Sequence, residues 1–235
     1  IASPDTPTPI PNTIYLVEYK GQVALFIANK YLRSYTNDNR TPIEGSGYLM
    51  PEKDKYFIEG IFSDFEDPQE LITIDEDVSW IGDFVIEPSS NLLYLSLIIR
   101  RPDKSDYNPL YRIDLNTPKA DVIWKKEIVR WDNVEENPYD EFRGFARINQ
   151  VKEPYLELSI LPCFGCTPCP PYGVLILNSE TRKEKFLGAA GNVEFNLDQS
   201  AFSYQLIAED TECNKPSICT CEAEIAGPIY TETLP

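Results

Sequence analysis

Apolar and polar residues alternate with a period of two along much of the chain, and that period belongs to strands whose successive side chains face opposite ways. Thr13 to Tyr19 and Gln22 to Ala28 both read as half-buried strands. Lys20-Gly21 between them reads as a tight hairpin turn, with glycine supplying a positive φ. Thr36 to Gly47, which holds Asn, Asp, Pro and Gly, reads as loop. Tyr56 to Ser63 and Leu71 to Asp75 read as a further strand pair across Asp64-Phe65-Glu66-Asp67-Pro68. The longest apolar run, Leu92 to Ile99, is strand-sized and broken by Ser96. It falls well short of the roughly 18 apolar residues that cross a bilayer as a helix.

From Gly82 onward the pattern recurs. Gly82 to Glu87 leads to Leu92 to Leu97, Gly144 to Asn149 leads to Tyr155 to Ile160, and Gly191 to Asn196 leads to Ala201 to Leu206. Each period opens on glycine, then runs through a short alternating strand, a polar turn and a longer strand. In the first two, a further hairpin follows: Leu110 to Leu115 with Ala120 to Trp124, and Val174 to Leu177 with Lys183 to Leu187. The third ends with Ile218 to Ile225 and Ile229 to Leu234. Recurring groups of four antiparallel strands are the blade unit of a β-propeller.

Tyr111-Arg112-Ile113-Asp114-Leu115-Asn116-Thr117 and Val174-Leu175-Ile176-Leu177-Asn178-Ser179-Glu180-Thr181 resemble the third strand and turn of TolB-like and WD40-like bacterial propeller blades. The resemblance covers roughly residues 82–235 and implies an architecture. It carries over no binding residue, and the chain lacks the Gly-His pair of the WD40 pattern. The fold class expected is therefore all-β: a small β-propeller or propeller-like array of four-stranded antiparallel blades, with a β-sandwich built from the same meanders as the alternative. Residues 1–12 read as a Pro/Thr-rich tether and residues 13–235 as one domain.

Composition agrees with this and narrows the chemistry. The 235 residues are 42% hydrophobic and 12% aromatic, with 20 prolines and one methionine, a mixture that favours sheet and turn over long helices. The net charge of −17 repels phosphate backbones and anionic lipid surfaces, so nucleic acid and membrane are not expected as partners. Membrane attachment would come only through an N-terminal anchor since removed. There is no histidine, which rules out Ser-His-Asp and Cys-His catalysis and any imidazole-held metal within this polypeptide.

All six cysteines fall in two clusters: Cys163, Cys166 and Cys169, then Cys213, Cys219 and Cys221. An even count in a chain of this composition reads as disulfides in an extracellular or periplasmic protein. A tether beginning at Ile1 is what removal of a signal peptide or lipoprotein anchor would leave, although an arbitrary cut leaves the same residues. Four thiolates at Cys-x-x-Cys spacing would suit zinc or iron–sulfur, but Cys219-Thr220-Cys221 is too tight for the second half of that pattern.

Antiparallel succession places the Arg100 to Pro109, Cys163 to Cys169 and Glu209 to Ser217 loops and the Glu127 to Asp140 insertion on one face. Long loops carry function more often than tight turns do, so this is the expected working face. Its anchor candidates are Arg130, Trp131, Tyr107 and Tyr172, aromatic and arginine side chains of the kind that dominate binding energy. Trp80 and Trp124 read as core. The acidic groups Asp64, Glu66, Asp67, Asp75, Glu76 and Asp77 read as solvated charge. Glu135, Glu136, Asp140 and Glu141 could supply a general acid and base.

The expected function is an exported binding or scaffolding module with a protein partner and no cofactor. A carboxylate-dependent glycoside hydrolase is the alternative, and a thiolate metal protein the third reading.

Overall fold

A computed structural model describes residues 12–19, 22–28, 45–49, 56–60, 66–101, 106–117, 119–128, 145–161, 173–188, 190–206 and 228–235. Among them there is no helix. The first sheet holds β1 (Asn12–Tyr19), β2 (Gln22–Ala28), β3 (Gly45–Leu49), β4 (Tyr56–Gly60) and β5 (Glu66–Ile74), in the order β4-β3-β2-β1-β5. The second holds β6 (Asp77–Glu87), β7 (Leu92–Arg100), β8 (Asp106–Asp114) and β9 (Lys119–Ile128) in chain order. The third repeats this with β10 (Phe145–Lys152), β11 (Tyr155–Leu161), β12 (Gly173–Asn178) and β13 (Glu184–Gly188). The fourth holds β14 (Ala190–Phe195), β15 (Ala201–Leu206) and β16 (Ile229–Thr233). Every strand pair is antiparallel.

Among the described residues the four sheets pack in series through three cores, and the period of two decides which side chain enters which core. In β7, Leu93, Leu95, Leu97 and Ile99 face the first sheet, with Ile14, Leu25, Leu71 and Phe84. Leu92 and Tyr94 of the same strand face the third sheet, with Leu156, Leu158 and Leu175. Burial on both faces explains the nearly continuous apolar run in that strand. β12 does the same one sheet later: Leu175 and Leu177 face back, while Val174 and Ile176 face Phe202 and Tyr204 of the fourth sheet. Each such side chain contributes about 1.5–3 kcal/mol by leaving water. A charge at Leu95 would sit in a core with no partner.

The three glycine-opened periods are thus the first hairpins of the second, third and fourth sheets, β6–β7, β10–β11 and β14–β15. The resembling strand-and-turn segments also match each other. Asp114 Oδ1 accepts the amides of Asn116 and Thr117 at 2.8 and 3.4 Å, and Asn178 Oδ1 accepts those of Glu180 and Thr181 at 3.0 and 2.9 Å. A side chain that caps the backbone two and three residues on closes the turn without glycine.

Three local expectations are corrected. Tyr56 to Ser63 and Leu71 to Asp75 do not pair: β4 joins β3 and β5 joins β1, at opposite edges of the first sheet. Part of the expected loop Thr36 to Gly47 is strand, since β3 begins at Gly45 and pairs with β2. In the fourth sheet β16 bonds directly to β15, so Ile229–Thr233 takes the third place and not the fourth. Residues 218–225 lie outside the described residues.

The two ends of the stack differ. At one end β1–β2, β3–β4, β6–β7, β8–β9, β10–β11, β12–β13 and β14–β15 are joined by links of two to six residues. At the other end residues 29–44, 129–144, 162–172 and 207–227 join β2–β3, β9–β10, β11–β12 and β15–β16, while residues 101–105 between β7 and β8 are no longer than the turns opposite. The junctions between sheets also differ in reach. Crossing a four-stranded sheet takes about 14 Å at a spacing of about 4.8 Å, which residues 129–144 span with ease at about 3.5 Å each. Asp75 and Glu76 between β5 and β6 reach at most about 11 Å, and Ala189 between β13 and β14 about 7 Å. There the chain passes from one sheet edge straight into the next.

Candidate functional site

β8 begins at Asp106, earlier than the sequence pattern suggests, and this moves Tyr107 out of the loop and into the strand. Tyr107 is 3% exposed and packs in the first core, so its ring is not an exposed anchor. Its hydroxyl reaches the loop-bearing end, where it donates to Glu76 Oε2. Glu76 stands in the short β5–β6 junction, and its main-chain carbonyl accepts from Asn12 Nδ2 at 2.8 Å. Glu76 Oε1 accepts from Arg101 Nε at 3.2 Å, and the Arg101 amide donates to Asp106 Oδ1 at 3.1 Å. One carboxylate therefore ties together the ends of β5, β7 and β8.

Two cations lie over the Tyr107 ring. Arg101 Cζ is 4.0 Å and Lys125 Nζ 3.9 Å from its centroid. Each is attracted by the ring quadrupole. Burial pushes the Tyr107 hydroxyl well above its usual pKa, and the bond to Glu76 and that carboxylate's charge add to the shift. Tyr107 is thus a neutral donor at any physiological pH. The neighbouring Tyr111 is raised by burial first and by Glu76 second.

On the outer rim, Glu184 at the start of β13 accepts from Trp124 Nε1 at 2.9 Å and pairs with Lys126 at 2.8 Å. Trp124 is core, as its strand context suggests, and this carboxylate satisfies its indole N–H. Trp80 lies in β6, its side chain outside the described residues. In the third sheet Glu157 is buried and its pKa is raised by desolvation, against a hydrogen bond from Asn149 Nδ2 at 3.0 Å. The same Asn149 nitrogen donates to Ser159 Oγ at 2.6 Å.

The loop-bearing end holds a hydrogen-bonded, mixed-charge platform: Glu76 and Lys125 exposed, Arg101 partly exposed, and Tyr107 buried. Such a surface suits polar and charge-complementary recognition. The remaining anchor candidates Arg130, Trp131 and Tyr172, the six cysteines, and Glu135, Glu136, Asp140 and Glu141 lie outside the described residues. Glu76, which reads as plain solvated charge in the sequence, has both carboxylate oxygens engaged. Among the described residues no group of three or more ligating side chains could hold a metal ion. Arg101, Asp106 and Lys125 carry no local sequence signal; only the register of β7, β8 and β9 brings them to one tyrosine. No protein-family model matches the chain, and no curated protein matches it significantly.

Proposed function

We propose that this chain is an exported binding or scaffolding module that engages a protein partner through its loop-bearing end. The observation that carries the reading is the difference between the two ends. Links of two to six residues close one, while residues 29–44, 129–144, 162–172 and 207–227 connect strands at the other, where Glu76, Arg101 and Tyr107 also lie. Long junctions on a rigid support are where binding residues concentrate. The six cysteines all fall in two of those segments. Disulfides there would restrict the unfolded chain by about 2–4 kcal/mol each and hold the segments in a fixed shape, in an extracellular or periplasmic setting.

The architecture proposed is a propeller-like array. It is supported by the serial face-to-face packing and by the contact between β6 and β10, the leading strands of neighbouring sheets. The short β5–β6 and β13–β14 junctions depart from a regular propeller. So does the position of the chain's Trp-Asp pair, Trp131-Asp132, which follows a fourth strand instead of closing a third.

The test is retention of a partner from extracts of the source cells by the full chain and two variants. Loss of the retained protein with Arg130→Ala/Trp131→Ala, and its persistence with Leu197→Asp at a turn tip on the opposite end, is the expected result. The reverse pattern overturns the reading. Intact mass after alkylation with and without reductant checks the staples: six bonded cysteines are expected, and six free thiols would remove them from the account.

A further inference from the structure

Among the described residues five buried side-chain atoms have no hydrogen-bond partner in the protein, and four of them belong to one joint between the second and third sheets. Tyr94 Oη and Arg112 Nε come from directly paired positions of β7 and β8, and Tyr94 packs in the core shared with the third sheet. Glu153 Oε1 belongs to the β10–β11 turn, and Glu153 Oε2 stands 3.9 Å from Arg112 Nη2, too far for a hydrogen bond. Ser179 Oγ belongs to the β12–β13 turn, which is tied to the same place by the Ser179 amide donating to Pro154 O at 2.8 Å. Tyr94 is fully buried and Ser179 is 4% exposed, so two hydroxyls without partners are shut away from bulk solvent. The fifth atom, Asn12 Oδ1, lies in the first sheet.

Folded proteins pair nearly all buried polar groups, and these four do not pair with one another. Their bonding capacities say what meets them. Arg112 Nε–H only donates, an ionised Glu153 Oε1 only accepts, and each hydroxyl does either. A cation in their midst would face the Arg112 guanidinium, and an anion would face the Glu153 carboxylate. The chemistry that fits is small, neutral and able both to donate and to accept.

We propose that this joint binds one buried water molecule, which accepts from Arg112 Nε and one hydroxyl and donates to Glu153 Oε1 and the other hydroxyl. Four partners fill the bonding capacity of a water, and buried waters make about three bonds on average to groups that the protein leaves unmet. The water links β7 and β8 to both turns of the third sheet, and it bridges the Arg112–Glu153 pair that stands open at 3.9 Å.

The experiment is a high-resolution crystal structure of the full chain, together with thermal unfolding of Tyr94→Phe, Ser179→Ala and the double variant. A solvent peak at about 2.7–3.2 Å from at least three of the four atoms is expected. Each single change removes one partner of the water and is expected to lower Tm by about 2 °C or more. Tyr94 and Ser179 share no direct bond, so the double variant should lose less than the two single losses together, because both act on one water. Four atoms bonded directly to one another with no peak among them would overturn the site, and so would strictly additive losses.

Discussion

The side-chain oxygen of Asn108 accepts the main-chain N–H of Ala146 at 2.7 Å, so the edge strand of the third sheet bonds to the face of the second. Asn108 Nδ2 donates to Ser96 Oγ at 2.8 Å and to Leu97 O, and Ser96 Oγ donates to Ala146 O at 2.9 Å. One strand over, Asp83 accepts the amides of Phe84 and Ile148 at 2.8 and 2.7 Å. β6, β7 and β8 thus each lend one buried polar side chain to seat β10 by its own backbone. This fixes the third sheet's height against the second.

Asn108→Ala leaves the Ala146 amide unsatisfied in a dry joint and is expected to cost about 2–3 kcal/mol in urea unfolding. Asn108→Asp keeps the acceptor but turns the donor into an anion facing Leu97 O, and is expected to cost more.

A Cβ on Gly173 would lie 2.3 Å from the Phe186 ring and 3.0 Å from Gly188 O. Gly173→Ala is expected to cost about 1–3 kcal/mol, since either the ring or the β12–β13 register must give. In a Phe186→Ala background the same change should cost roughly half or less, which a double-mutant cycle reads directly.

Tyr107→Phe removes one hydrogen bond to a carboxylate and is expected to cost about 1.5–3 kcal/mol. Tyr107→Leu also removes the ring under Arg101 and Lys125, a further ~0.5–1 kcal/mol for each cation. Should Tyr107→Phe unfold like the native chain, the Glu76 bond is not part of the platform.

Asp114 is held below the usual carboxylate range by its hydrogen bonds to the Asn116 amide first, then to Thr117. Its contribution is present above the unfolded pKa and lost as pH falls through the depressed folded value. Asp114→Asn should flatten that acid limb of a stability profile while leaving neutral stability nearly unchanged.

Local periodicity carried most of the strand assignments. The apolar runs of β7 and β12, the glycine-opened hairpins and the turns at Asp114 and Asn178 are short-range features, each set by residues a few positions apart. What escaped it depends on long-range pairing. Nothing in Leu71 to Asp75 says that β1 and not β4 is its neighbour, and Gly45 and Gly47 look like loop until β2 pairs with them. Tyr107 looked exposed because the polar stretch before it hides the start of β8. Glu76 looked idle because its partners, Arg101 and Tyr107, are brought to it only when β7 and β8 align.

The central claim, recognition of a protein through the loop-bearing end, is tested most directly by photo-crosslinking in the source cells. A photoreactive residue replaces Arg101 or Lys125 at that end, or Asn116 or Leu197 at the turn end. A discrete protein adduct from the first pair, absent from the second, is the predicted result. Adducts only from Asn116 or Leu197, or none from any position while the chain is folded and abundant, would contradict it.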